Sequence, residues 1–277
     1  MNYVEVNFRA YDKHYPLATF MGSAIRGAFG YSLKRVVCVN PSFTCEDCFA
    51  KDSCLYYDFF EKTNSYHNYR FDIKLDQKEL DFNLFLFEGA CDKLPYIISA
   101  IYKMLKETGL GRDRWTFKKF EISANGKIVF NGNEFLMPKD FIKRFEISQH
   151  FTNIKLEFIT PFRTKKDNRL LKTCPSLDLI LTSIQNRANQ LKNKKITRLD
   201  FAPTYDEVSS HIYFQELTRL SNRQKTKMQF GGIMGEIEYK NIDKKSYELL
   251  KLGEIIGIGK QCVFGLGKIK VIDKNRS

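Results

Sequence analysis

Asn2-Tyr-Val-Glu-Val-Asn-Phe-Arg-Ala10 alternates, with Val4, Val6 and Phe8 on one face, so it reads as a half-buried strand. Leu17–Val36 follows with helical spacing: Leu17, Phe20, Ile25, Phe29 and Leu33 share one stripe. Gly22, Gly27 and Gly30 lie inside that helix, and each costs up to about 1 kcal/mol relative to alanine. Three together predict close approach by another backbone, that of a sheet or of a nucleic-acid strand. This strand-then-helix opening decides the fold, because the chain uses it twice.

Beyond this opening, strands are expected at Tyr69–Leu75 and Asp81–Phe87, then a helix over Lys93–Thr108 that stops at Gly109. Trp115–Ser123 and Lys127–Phe130 flank Asn125-Gly126, a strong hairpin signal. Strand, helix, strand, strand, helix, strand pair is the split β-α-β order of a ferredoxin-like fold. The second half starts over with a strand at Asn153–Ile159, ending at Thr160-Pro161, and a helix at Leu177–Leu191. Strands at Ser210–Leu217, Met228–Phe230 and Ile233–Tyr239, a short helix at Lys244–Glu254 and a last strand at Val263–Ile272 complete it. The expected class is α+β: two tandem ferredoxin-like domains, 1–147 and 148–277, with a four-cysteine insertion at 38–54 after the first helix. No Pro/Gly/Ser linker marks the boundary, and no segment is of low complexity.

Composition narrows the function. With 43% hydrophobic and 14% aromatic residues among 277, the chain can build a core, which excludes a disordered tail protein. The longest apolar run, near Leu94–Tyr102, falls short of the ~18 residues that span a bilayer. Met1-Asn-Tyr-Val-Glu-Val has no basic and then apolar leader, so the expected location is the cytoplasm. The net charge of +13 is uneven: residues 1–150 hold 21 basic and 19 acidic side chains, and residues 151–277 hold 24 and 13. A field of that sign attracts a polyanion, whether RNA, DNA or an anionic membrane; the plain alternative is a solubility effect.

Seven cysteines in a chain read as cytosolic argue against disulfides. Cys38, Cys45, Cys48 and Cys54 crowd together, with six, two and five residues between them. Cys45-Glu-Asp-Cys48 can point two thiolates at one metal, and Cys38 and Cys54 can close a tetrahedron around a structural Zn²⁺. The four thiolates and Zn²⁺ leave a net −2, which Lys34, Arg35 and Lys51 lie close enough in sequence to offset. An iron–sulfur cluster is the rival, and a metal-free cluster is the third reading. Cys91, Cys174 and Cys262 read as packing residues.

Gly257-Ile-Gly259-Lys-Gln-Cys-Val-Phe-Gly265-Leu-Gly267-Lys268 is neither a dinucleotide fingerprint nor a P-loop, since its glycines precede a strand and Lys260 is followed by Gln. Such a loop can aim backbone N–H groups at phosphates, with Lys260, Lys268 and Lys270 beside it; a ligand-free glycine hairpin is the alternative. Arg163–Lys172 carries five positive side chains, and Ser221-Asn-Arg223-Gln-Lys225-Thr-Lys227 is a polar, basic run entering Gly231-Gly232. Both could lie along a phosphodiester backbone or be solvated loops. The histidines are His14, His67, His150 and His211; each has an ordinary packing or surface reading, and His67 follows the cysteine segment among polar groups. No carboxylate cluster implies a Mg²⁺ site.

Several of these motifs together resemble one family. Gly22-Ser-Ala-Ile-Arg26-Gly27-Ala28-Phe29-Gly30, Leu33-Lys34-Arg35 and the four cysteines resemble the N-terminal signature of CRISPR-associated RAMP endoribonucleases that process precursor CRISPR RNA. Gly109-Leu-Gly111-Arg112, Thr160-Pro161-Phe-Arg163 with Arg169-Leu170, Gly231-Gly232-Ile-Met-Gly235, Leu252-Gly253-Glu254 and the 257–267 loop match in order along nearly the whole chain. The resemblance implies two RAMP domains and metal-independent cleavage in the CRISPR repeat. The 2′-hydroxyl would attack the adjacent phosphate, leaving a 2′,3′-cyclic phosphate and a 5′-hydroxyl. Its partners would be repeat RNA and other CRISPR effector proteins, with no membrane, as a monomer or homodimer. One departure stands out: relatives often carry a histidine in the first helix where this chain has Tyr31. The expected catalytic set is therefore His67 as base, with Tyr31 and Arg26 on the first helix. The expected RNA contacts are Arg163, Lys165, Lys166, Arg169, Arg223, Lys225 and Lys227, with Gly257, Gly259, Lys260, Gly265, Gly267 and Lys268 of the glycine loop. A RAMP subunit that binds guide RNA without cutting it is the alternative.

Overall fold

In the computed structural model, β1 (Asn2–Ala10) buries Val4, Val6, Phe8 and Ala10, the face its alternation predicts. The structure describes the chain except for residues 12–14, 64, 137, 222–225 and 275–277, and no side chains over 218–228. The chain divides into two units, each described by itself: Met1–Phe71 with Asp76–Arg144, and Asp72–Leu75 with Phe145–Ser277.

In the first unit, β1 is followed by α1 (Gly22–Val37), β2 (Tyr69–Asp72), β3 (Asp81–Phe87), α2 (Leu94–Lys103), β4 (Phe120–Ala124), β5 (Lys127–Phe130) and the short β6 (Lys143–Arg144). The sheet runs β2-β3-β1-β4-β5, with β6 also on β1. β1 is central because it is apolar on its inner face along its whole length; it pairs antiparallel with β3 (Val6↔Leu84) and with β4 (Val6↔Ala124). α1 packs against α2, burying Ile25, Phe29 and Leu33 from one and Leu94, Ile97, Ile98 and Ile101 from the other. The helix starts at Gly22, not Leu17; Leu17 and Phe20 are half-buried in the connecting segment, where apolar residues imitate a helical stripe. Gly30 has a specific reason to be glycine: a Cβ there would lie 2.5 Å from the Phe60 ring. Gly27 faces open space, so what approaches this helix is an aromatic ring at one position, not a backbone along three.

The second unit repeats the order: β7 (Ile154–Phe162), the two-residue strands β8 (Lys165–Lys166) and β9 (Arg169–Leu170), α3 (Leu177–Leu191) and β10 (Asp206–Gln215). A hairpin of β11 (Thr218–Ser221) and β12 (Thr226–Gln229) intervenes before β13 (Gly232–Lys240), α4 (Lys244–Ile256) and β14 (Ile269–Asp273). Its sheet is β10-β13-β7-β14, the same permutation as β2-β3-β1-β4. Two α+β units of ferredoxin-like topology are thus present. β7 continues through Pro161, where its pairing with β14 has ended at Phe158 and its register with β13 shifts between Phe158 and Phe162. β14 starts six residues later than Val263. Gly265 and Gly267 sit at φ +90° and +71°, which no extended strand allows. Among the described residues no helix is long and apolar enough to cross a membrane.

α4 begins at a strong cap. Asp243 accepts from Ser246 N (3.0 Å), Ser246 Oγ (2.6 Å) and Thr204 N (2.9 Å). Burial alone would raise its pKa, but these hydrogen bonds outweigh it and hold the carboxyl below its ordinary value. A depressed folded-state pKa means that the stabilisation is present above the ordinary aspartate range and is lost as pH falls through the folded value. Asp243→Ala is expected to cost about 1–2 kcal/mol in urea unfolding at neutral pH. The deficit should shrink as the wild type is titrated into acid.

Candidate active site

The first helix carries Arg26 and Tyr31 on different faces. Five residues apart, they are rotated by about 140° on an ideal helix. Arg26 turns inward. Its Nε donates to Tyr69 Oη at 3.0 Å, and its guanidinium lies over the Phe60 ring, 4.5 Å from the centroid. Gly30, one turn on, leaves the room in which Phe60 forms that platform. Tyr31 is half exposed and pairs with Arg35, whose guanidinium lies 5.7 Å from its ring centroid. Tyr31 therefore does not join Arg26, which corrects the expectation that the two act together.

Tyr69 on β2 is the hub, and sequence reasoning missed it. It is fully buried and stacks on Phe59 at 4.4 Å. Burial pushes its phenol pKa up, and the Arg26 charge opposes this in part. The His67 ring lies 6.1 Å from the Tyr69 ring. His67 Nδ1 sits 2.7 Å from the Asp58 carbonyl oxygen. A carbonyl can only accept, so Nδ1 carries the proton and the basic lone pair is on Nε2. Asp58 lies in the turn of helix Tyr57–Glu61, which also supplies Phe59 and Phe60. One short helical turn thus fixes both His67 and Arg26 around Tyr69. Alternation on β2 would have flagged Tyr69 as core, but nothing in the sequence ties it to Arg26, 43 positions away.

The other described histidines lie in the second unit. His150 Nε2 meets the Ile242 carbonyl at 3.0 Å and its ring meets Tyr247 edge-on. His211 sits opposite Glu236 across β10 and β13. His14 lies outside the described residues.

The glycine loop differs from the phosphate cradle expected. Its N–H groups are used within the second unit: Gly257 to Gly253, Ile258 to Gly267, Lys260 to Arg163, Gly265 to Cys262 and Gly267 to Pro161 carbonyls, and Gly259 to Ser183 Oγ at 2.9 Å. A Cβ at Gly259 would meet the Arg163 carbonyl, and one at Gly267 the Ile258 carbonyl. These glycines permit close packing, and the fold uses the N–H group of each of the four. Lys268 forms an ion pair with Asp72, which is almost fully buried, so it too serves the fold. Lys260 is exposed.

The basic surface expected beside the loop is present in part. Asp167 and Asn168 at φ +50° and +61° turn the β8–β9 hairpin, which carries Lys165, Lys166 and Arg169, all exposed. Arg163 at its base is half-buried and donates to the Gly231 carbonyl at 2.8 Å. Arg223 and Lys225 lie outside the described residues; Lys227 is on β12, its side chain not described. The four cysteines of 38–54 line one cavity of about 170 Å³ together with Lys34 and Lys51, while Arg35 lies with Tyr31 instead. Among the described residues no three His, Cys, Asp or Glu side chains already stand in metal-ligand geometry.

Comparison with known proteins bears on both halves. Residues 1–140 match the N-terminal-domain family AF_1859_N, and residues 156–269 match the family of the CRISPR-associated endoribonuclease Cas6. An uncharacterized protein of Archaeoglobus fulgidus is 23% identical over 289 residues, covering 95% of each chain. Among solved structures, a Cas6 product complex aligns with a TM-score of 0.56 at 14% identity, covering 98% of this chain and 99% of that one. Thermus thermophilus Cas6 aligns at 0.52 with 13% identity over 98% of both. A RAMP protein described as binding different RNA substrates aligns at 0.50 with 12% identity over 99% of this chain and all of that one. These alignments carry the double ferredoxin-like fold from end to end. With that fold in both halves, the chain belongs to the family of AF_1859_N, whose model covers half of it, and its second half carries a domain of the CRISPR-associated endoribonuclease Cas6 family.

Proposed function

We propose that this protein cleaves precursor CRISPR RNA within its repeats, by attack of a 2′-hydroxyl on the neighbouring phosphate. The match of residues 156–269 to the Cas6 endoribonuclease family carries the reading. The approach of both His67 and Arg26 to Tyr69 supports it chemically. His67 Nε2 takes the proton from the 2′-hydroxyl. O2′ bonds to phosphorus, the P–O5′ bond breaks, and O5′ leaves with a proton from solvent. The products are a 2′,3′-cyclic phosphate and a 5′-hydroxyl. The nucleophile is already tethered beside its target, so most of the work is orientation and charge stabilisation. Arg26, fixed by Tyr69 and stacked on Phe60, is a pre-set positive charge for the pentacoordinate phosphorane. No step calls on a metal-bound water. Acid should slow the reaction, since an imidazolium has no lone pair to accept the proton.

The exposed Lys165, Lys166 and Arg169 of the β8–β9 hairpin are proposed as phosphate contacts, with Lys260 nearby in sequence to Gly259, which packs on Arg163. Each contact to a single strand contributes about 0.7 to the slope of log affinity against log salt. The triple change of these three hairpin residues to Gln should flatten that slope by about two in filter-binding titrations. An unchanged slope would remove the hairpin from the RNA interface. The function itself is tested by incubating the purified chain with 5′-labelled repeat RNA from its own host and mapping the product ends. A single cut with a cyclic phosphate is expected. Salt-sensitive binding without any cut would favour the non-catalytic guide-RNA subunit.

A further inference from the structure

The segment from Cys38 to Cys54 has little regular structure and no core of its own. None of its seventeen residues is buried. Its large apolar side chains point outward, with Phe49 79% and Val39 67% exposed. The residues turned inward are Asn40, Ala50 and the four cysteines, all half-buried and none in a disulfide. All four line the same cavity, which also takes Lys34 from α1. Lys34 is itself held, its Nζ 5.0 Å from the Phe43 and Tyr56 ring centroids. Asp47, between Cys45 and Cys48, is at φ +47°, a turn that brings these two cysteines, three positions apart, round toward one side. A loop of this length without burial cannot offset its ordering entropy by hydrophobic contact, so a cross-link is the usual remedy.

We infer that Cys38, Cys45, Cys48 and Cys54 bind a single Zn²⁺ through four thiolates, drawing their sulfurs together across the cavity they now line. Four sulfurs close the coordination shell and leave no position for water, so the centre is structural. Each cysteine releases its proton on binding, and Lys34 and Lys51 at the cavity wall offset the net −2 of the loaded site. The placement gives the metal a task. The Cys54 carbonyl accepts from Asp58 N at 3.0 Å, and Asp58 holds His67 through its own carbonyl. Tyr56 stacks on Phe60 at 5.3 Å, and Phe60 underlies Arg26. A metal at Cys54 would thus anchor the turn that positions both site residues. That last link rests on the proposed catalytic reading; the metal does not.

The test is spectroscopic and uses no RNA. The reduced, metal-free full chain is titrated with Co²⁺, then with Zn²⁺. Saturation at about one Co²⁺ per chain is expected, with intense sulfur-to-cobalt charge-transfer and tetrahedral ligand-field bands that Zn²⁺ abolishes. Cys48→Ser should shift those bands and weaken binding at least tenfold, while Cys174→Ser leaves both unchanged. Circular dichroism of each variant separates lost binding from lost folding. Absence of thiolate–cobalt bands in the wild-type chain would overturn the proposal, as would a disulfide among the four cysteines or a brown iron–sulfur chromophore in protein purified without oxygen. Full cobalt binding in a chain that never cuts RNA would leave the metal site standing and remove only its catalytic consequence.

Discussion

His67→Ala is expected to slow single-turnover cleavage by about 10²–10⁴-fold, the range that a positioned general base contributes. RNA affinity should change little, because His67 is one half-buried ring outside the basic hairpin. The size of the effect follows from how the ring is held. Its Nδ1–H is given to the Asp58 carbonyl at 2.7 Å, so the imidazole cannot turn its protonated nitrogen toward the 2′-hydroxyl. His67→Gln keeps a side chain able to reach the Asp58 carbonyl but has no titratable nitrogen, so it should be nearly as slow as alanine. If His67→Gln cut at the wild-type rate, His67 would be a positioning residue at most. The pH profile distinguishes the two roles: the acid limb of the wild-type rate should flatten in both variants.

Arg26→Ala is expected to cost about 10²–10³-fold in the same assay, comparable to removing one preorganised donor from a site of developing charge. Arg26→Lys should recover only part of this. The Arg26 guanidinium uses Nε for Tyr69 while its plane rests on Phe60; an ammonium has neither the fork nor the flat face. Tyr69→Phe supplies the control. It removes the oxygen that fixes Arg26 while keeping the stack on Phe59, so it should lower the rate less than Arg26→Ala and leave the fold intact. Equal rates for Arg26→Ala and wild type would remove Arg26 from the reaction.

Much of this fold was legible in the sequence, because strands such as β1, β4 and most of β7 bury alternate residues. β1, β3 and α3 stand where alternation and helical spacing put them, and Asn125-Gly126 marks the β4–β5 turn. What local pattern could not show was how glycines and apolar linkers are used. Leu17 and Phe20 mimicked a helical stripe, and Gly265 and Gly267 end what looked like a long strand. The loop from Gly257 to Gly267 reads as a phosphate cradle only while the partners of its N–H groups are unknown; the fold spends them on Gly253, Ser183, Arg163 and Pro161. The candidate site was half legible. His67 and Arg26 could be named from chemistry and motif, but their convergence depends on Tyr69, a buried residue whose role is purely spatial. Tyr31 was the opposite case, close to Arg26 in sequence and on another face of the helix.

In the proposed reaction the attacking group is the RNA's own 2′-hydroxyl. The most direct measurement compares two repeat RNAs in excess EDTA, one natural and one with a single 2′-deoxy substitution at the mapped cut. The natural RNA is expected to be cut to a 2′,3′-cyclic phosphate and a 5′-hydroxyl, while the substituted RNA is bound with similar affinity and left whole. Cleavage of the deoxy substrate at that position, or a cut by the natural one that EDTA abolishes while the chain stays folded, would contradict it.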